Sequence, residues 1–332
     1  MMIDSGAEVV LHIGGQKCGS SALQGYLFFG RHGLAKHGIR YLDDELGDDL
    51  AKAKSHSNLL PRLRQTGAES WVRDRLSLLD WADPSKRYVL SSEGFCEIRN
   101  VESYATALAP LGDFGRVHIV LYVRSQVELI YSGWQQWGSH LSFSDWVESA
   151  LKRDFANWDR ILSAWRRALP DARFSVRIFS RDHFPDGDLV ADFRQLLGWP
   201  SVQLLVKKAA NPTFDDLTVL AVQRLAAKNK VEPGPIMISM KKAGVVLPRS
   251  GENLVLDAVL QAKISDHYAV SNACFLKNAG IGYAEAERLI VPKIPRCSPY
   301  SEEDVARHQQ VVVENLEKVA GQEGCRALGL CL

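Results

Sequence analysis

Val9-Val10-Leu11-His12-Ile13-Gly14-Gly15-Gln16-Lys17-Cys18-Gly19-Ser20-Ser21 runs from apolar residues through a glycine turn to two helix-capping serines. The apolar run reads as a buried strand, and the serines open a helix over Ala22 to Phe29. A strand that feeds a helix through glycines aims free amide N–H groups and the positive helix end at one point. Gly14, Gly15 and Gly19 let backbone approach an anion closely. Lys17 adds a positive charge, and Ser20 and Ser21 add hydroxyl donors. The segment therefore predicts a phosphate or sulfate cradle; a plain strand–turn–helix junction is the alternative. It is not a Walker A loop, because Lys17 precedes Gly19 and no Gly-Lys-Ser/Thr follows.

Further strands are predicted at Arg40 to Leu42, Tyr88 to Glu93, Val117 to Val123 and Phe174 to Phe179. Val117 to Val123 is almost wholly apolar, as in parallel strands covered on both faces. Helices are expected at Asp49 to Gln65, Trp71 to Trp81, Val127 to Trp137, Phe143 to Leu151, Trp158 to Ala168, Leu189 to Leu197, Asp215 to Lys228 and Asp304 to Ala320. Val231 to Gly251, rich in Gly, Pro and Lys, reads as a loop. Alternating strands and helices predict a three-layer α/β/α fold of P-loop type around a mostly parallel sheet. No linker or repeat marks a boundary. The expectation is one domain over 1–332, with its core at about 8–230 and a loop-rich, helical part at 231–332 covering the site.

Arg124 ends the strongest strand, where open parallel sheets bind ligands. Ser132 follows eight positions later, about two turns into the next helix. An arginine at that strand end suits an anion, whereas a nucleotide hydrolase or kinase places an aspartate there for magnesium. A salt-bridging arginine and an ordinary helix serine are the alternative.

The 332 residues are 46% hydrophobic and 24% charged, an ordinary globular composition. Lys plus Arg number 40 against 39 Asp plus Glu. Such balance gives no global field for nucleic acid or a membrane surface, so an anion site must be local. The six cysteines (Cys18, Cys96, Cys274, Cys297, Cys325 and Cys331) show no C-x-x-C spacing and read as separate thiols. No apolar stretch approaches a spanning helix, and the first residues lack a basic leader. The expectation is a soluble, cytoplasmic protein with no membrane span.

A Lys-x-Gly-Ser-Ser turn after the first strand, then a strand ending in Arg with Ser eight residues on, resembles the sulfotransferases that use 3′-phosphoadenosine 5′-phosphosulfate (PAPS). The likeness is closest to bacterial relatives of the carbohydrate-type enzymes. It continues through Leu90-Ser91-Ser92-Glu93, Phe143-Ser144-Asp145-Trp146, Val190-Ala191-Asp192-Phe193 and a helix opened by Asn211, covering roughly residues 8 to 230. The resemblance implies PAPS as donor, its desulfated product PAP, no required metal, and a glycan or glycoconjugate acceptor. Gly15, Gln16, Lys17, Cys18, Gly19, Ser20 and Ser21 would line the 5′-phosphosulfate, with Lys17 offsetting charge on the leaving phosphate. Arg124 and Ser132 would hold the 3′-phosphate. Cys18, with Gly15 and Gln16, departs from what many members carry.

Two residues are candidates for the base that takes the acceptor proton. Glu93 closes a strand on the ligand-binding edge, with a solvated or capping carboxylate as the alternative. His56, in Lys54-Ser55-His56-Ser57-Asn58, titrates near neutrality, with an exposed helix histidine as the alternative. His12, on a buried strand, reads as a core histidine. Trp134 and Trp137, at helical spacing, read as core, with sugar stacking as the alternative; the basic stretch Met240 to Gly251 reads as a solvated loop, with a fold over the nucleotide or contact with an anionic glycan as the alternative. A kinase or nucleotide hydrolase, and a non-catalytic nucleotide-binding module, are the competing functional readings.

Overall fold

Apolar runs become strands where the sequence predicts them. A computed structural model describes residues 6–42, 55–202, 214–245, 247 and 252–330. The strands are β1 (Glu8–Gly14), β2 (Ile39–Tyr41), β3 (Arg87–Ser91), β4 (Arg116–Val123) and β5 (Arg173–Ile178). They form one all-parallel sheet in the order β2-β3-β1-β4-β5. Parallel neighbours require crossovers, and helices supply them. These are α1 (Ser20–Ala35), α2 (Leu60–Leu63), α3 (Ala68–Leu76), α4 (Val101–Leu108) and α5 (Leu111–Phe114) before β4. Then come α6 (Gln126–Trp137), α7 (Phe143–Lys152) and α8 (Trp158–Ala168). After β5 follow α9 (Leu189–Leu197), α10 (Asp216–Asn229), α11 (Pro233–Lys242), α12 (Ala258–Ala279), α13 (Tyr283–Ile290) and α14 (Glu302–Ala327). The result is a three-layer α/β/α architecture.

Three expectations need correction. The described part of Asp49 to Gln65 is a 3₁₀ turn, His56–Leu59, followed by the single turn α2. The helix expected to reach Trp81 stops at Leu76. The stretch expected as a loop from Val231 contains α11 instead. Pro233 sits in its first turn, where proline is tolerated, and Ile236, Met237 and Met240 are buried at helical spacing. Asn211, Arg249, Ser250 and Gly251 lie outside the described residues, as does Cys331.

The described residues divide into two compact units, interleaved along the chain rather than separated by a linker. The first comprises Met1–Ser125, Phe155–Lys208 and Tyr268–Val291, and holds the whole sheet. The second comprises Gln126–Asp154, Ala209–His267 and Pro292–Leu332. The single domain expected from the sequence thus spans both. A division that falls at the start of α6 and within α12 leaves no linker signal in the sequence.

In the first unit, strand alternation sends Val10, Val89, Val120 and Tyr122 to one face. There they meet Leu23, Tyr26 and Leu27 of α1 and Leu189 and Phe193 of α9 in one buried cluster. Val9, Leu11, Ile13, Ile119 and Leu121, pointing the other way, are fully buried too. In the second unit, the buried Asp216 carboxylate accepts hydrogen bonds from Tyr131 Oη (2.8 Å), Gln135 Nε2 (2.9 Å) and the Leu254 amide (2.7 Å). That is the satisfaction a buried carboxylate needs.

Two histidines tie the strand tips of the first unit. The Ser91 amide donates to His56 Nδ1 at 3.0 Å, and His56 Nε2 donates to the Leu42 carbonyl. His12 Nδ1 lies 2.7 Å from Ser91 Oγ. Burial lowers the pKa of His56 from 6.5 to about 4 and that of His12 to about 3, so both are neutral in the fold. Below pH 6.5 the unfolded imidazoles take up protons that the folded ones refuse. Stability is therefore complete above that value and falls as pH drops toward 4, at about 1.4 kcal/mol per pH unit for each histidine. Urea unfolding from pH 7 to 4.5 should show this decline, and His56→Asn should make it shallower. An unchanged slope would contradict the assignment.

Candidate functional site at the carboxyl edge of the sheet

The chain leaves β1 through a strained turn. Gly14 (φ 87°), Gly15 (φ 113°) and Gly19 (φ 76°) have positive φ, and so does Lys17 (φ 59°), a conformation rarely adopted by a residue with a side chain. Two glycines are also demanded by space. A Cβ on Gly14 would lie 2.4 Å from Glu93 Cα, and one on Gly15 would lie 1.8 Å from the Tyr122 carbonyl oxygen. The turn is thus wedged between the ends of β3 and β4.

Each neighbour of the turn is fixed by its own strand. Arg124 follows the last residue of β4, and its Nη1 donates to the Lys17 carbonyl at 3.0 Å. Its guanidinium lies 5.6 Å from the Phe179 ring centroid, and its carbonyl accepts from Trp158 Nε1 at 3.0 Å. Phe179 follows the end of β5 and, with Leu189, leaves no room for a Cβ on Gly19, which would lie 3.2 Å from Phe179 Cε2 and 2.5 Å from Leu189 Cδ2. Glu93 follows the end of β3 and begins a 3₁₀ turn, Glu93–Cys96, capped by Ser92. Burial pushes the Glu93 carboxyl above its ordinary value, and the Lys17 charge pulls the other way. Its carboxylate makes no hydrogen bond among the described residues.

The cradle residues divide by task. Ser20 Oγ, buried, donates to the Gly15 carbonyl at 3.1 Å and closes the turn on itself. Cys18 is buried in the α1 core, with its Sγ 3.4 Å from the Gln16 carbonyl. The Gly15 and Gln16 amides point at Cys96 Sγ, whose thiol burial pushes up to about 12. Four of the groups expected to line the phosphosulfate, the Ser20 hydroxyl, the Cys18 side chain and these two amides, thus each face a partner in or under the turn. The Gly19 and Ser20 amides at the start of α1 carry no hydrogen bond among the described residues, and Ser21 is exposed beside them. These amides, the Lys17 ammonium and the α1 dipole are what an anion would meet.

His56 does not fit the role of base. It is buried rather than on an exposed helix face, and both ring nitrogens are engaged with backbone groups. Neutral but without a lone pair to offer, it holds β3 in place. Ser132 lies on α6, in the second unit, where its hydroxyl donates to the Leu129 carbonyl at 3.3 Å. The sheet edge of the first unit therefore gathers Lys17, Glu93 and Arg124. Missed at the sequence level were Cys96 under the turn and a row of hydroxyls next to Glu93. Ser55 Oγ and Ser57 Oγ are 2.7 Å apart, and Ser57 Oγ and Ser92 Oγ 2.9 Å. The 35-residue separation of Ser57 from Ser92 left no spacing signal.

No protein family profile and no solved structure matches the chain. An uncharacterized protein of Archaeoglobus fulgidus is 32% identical over 116 residues, covering 35% of this chain and 32% of that protein. The chain thus matches about a third of that relative's length. Among the described residues, no helix is long and apolar enough to cross a membrane.

Glycines of positive φ fall into two kinds by the space around them. Gly67 also has positive φ (78°), but a Cβ placed on it would meet nothing within 4 Å. Gly67→Ala should lose about 1 kcal/mol, the intrinsic left-handed penalty. Gly15→Ala should lose roughly 3 kcal/mol, because it adds a backbone clash to that penalty. Equal losses in denaturant titrations would contradict the wedged turn.

Proposed function

We propose that this chain is a sulfotransferase that moves the sulfuryl group of PAPS to an acceptor hydroxyl or amine, in particular on a glycan or glycoconjugate. The observation that carries the reading is the meeting of Arg124 with the Lys17 turn at 3.0 Å, at the carboxyl edge of the central strands. Two positive groups from adjacent strand tips, beside the amino end of a 16-residue helix, suit a donor with several anionic groups.

In this reading the phosphosulfate lies over the Gly19 and Ser20 amides, and Arg124 takes the nucleotide's second phosphate. The acceptor oxygen forms a bond to sulfur as the bond from sulfur to the 5′-phosphate oxygen breaks, and PAP departs with that electron pair. Lys17 offsets the charge that builds on the departing phosphate. The acceptor proton passes to a Glu93 carboxylate oxygen. A base whose pKa burial has raised holds that proton better near neutrality than a solvated carboxylate does. Fixed positive groups and alignment are what transfer of this type requires of a protein.

The test is incubation with sulfur-35-labelled PAPS and a panel of glycans, amines and small alcohols, read by chromatography and mass spectrometry. The expected result is a labelled product together with stoichiometric PAP. Glu93→Gln should lose transfer by at least roughly a hundredfold while still binding PAP. Wild-type protein that binds no PAP and releases none from PAPS would overturn the proposal.

A further inference from the structure

A second cluster lies at the opposite, amino-terminal end of the same sheet, away from the glycine turn. Glu8 opens β1, His118 is third in β4 and Ser175 is third in β5. Ser175 Oγ and His118 Nε2 are 2.8 Å apart. On the other side of the ring, His118 Nδ1 faces Glu8 Oε1 at 3.6 Å. The imidazole is buried, whereas Ser175 is half-buried on the outermost strand of the described sheet.

The charges fix how this row is protonated. The Glu8 carboxyl is held below its ordinary value, first by the His118 ring facing it at 3.6 Å and further by the Arg87 and Arg116 charges. Arg87 Nε lies 3.3 Å from Glu8 Oε2. An ionised carboxylate accepts only, so it selects the tautomer with hydrogen on Nδ1. Nε2 then carries its lone pair toward Ser175, and the serine hydroxyl donates to it. A hydroxyl hydrogen-bonded to a base that a carboxylate orients is the arrangement that activates a serine nucleophile. The Ser175 hydroxyl has no other hydrogen bond among the described residues. Simple core satisfaction of His118 would not require a carboxylate held by Arg87 on its far side.

We propose that Ser175, His118 and Glu8 form a second reactive site that takes acyl groups from small, unhindered carboxylic esters. Ser175 Oγ forms a bond to the acyl carbon while its proton moves to His118 Nε2. The bond from that carbon to the alcohol oxygen breaks, and His118 returns the proton to the departing alcohol. Water then attacks the acyl-serine; His118 takes its proton and gives it to Ser175 Oγ as the carboxylic acid leaves. Ser175 and His118 are the catalytic residues, and Glu8 is a positioning residue. The half-buried setting of Ser175 admits a small acyl group and excludes a bulky one.

The experiment is labelling of the full chain with an alkyl fluorophosphonate, which loses fluoride to an activated serine, followed by peptide mapping. The expected result is a single adduct on Ser175, absent from Ser175→Ala, with p-nitrophenyl acetate showing a stoichiometric burst. His118→Gln should slow labelling at least roughly a hundredfold. Glu8→Gln should slow it about tenfold and Glu8→Asp should restore part of the rate, which a purely structural role would not produce. No adduct on folded wild-type protein, or an adduct only at another serine, overturns the proposal. This outcome is independent of PAP binding.

Discussion

The first unit depends on one constraint: the backbone between β1 and α1 passes through a gap with no room for a side chain. Gly14 lies against the Glu93 backbone and Gly15 against the Tyr122 carbonyl. Close approach on both sides locks the tips of β3, β1 and β4 to one another. Arg124 reaches back to the Lys17 carbonyl, and Lys17 adopts the left-handed region. Strain of that kind persists where the surroundings over-determine it, and it concentrates at binding sites.

Below that gap the strand tips are tied by buried polar contacts. His56 bridges the end of β2 to β3, and His12 on β1 bonds to Ser91 of β3. Tyr122 of β4 donates to Asp192 of α9 at 2.6 Å. Each bond satisfies a group that desolvation would otherwise penalise, so the strand tips are positioned by groups that cannot swing away without exposing buried polar atoms. Lys17, Glu93 and Arg124 all stand on that base. The opposing pull of burial and of Lys17 on Glu93 follows from the same placement.

The sheet and its glycine turn were legible because their signals are local. A continuous apolar run, a glycine pair and capping serines each act within a few residues, and Val117 to Val123 reads as a buried strand from its own composition. The tasks of individual cradle residues were not legible. Ser20 and Ser21 look alike in sequence, yet one closes the turn and the other is exposed, and only the helix phase of α1 separates them. His56 reads as a titrating base because the burial that keeps it neutral, and the Leu42 and Ser91 backbone groups that occupy its ring nitrogens, come from segments its own sequence neighbourhood does not reveal. α11 was hidden by Pro233, Gly234 and Pro235, residues that usually mark loops but here occupy the first helical turn. The pairing of Glu8, His118 and Ser175 needs the register of three strands, which no spacing along the chain encodes.

What ties the turn to function is the arginine that β4 delivers to it. The most direct measurement is a calorimetric titration of PAP into wild-type protein and Arg124→Ala at fixed ionic strength. The expected result is one saturable site, weakened by roughly 1.5–3 kcal/mol in the variant, as for loss of a charged hydrogen bond. Equal affinities, or no binding by the wild-type chain, would contradict the account.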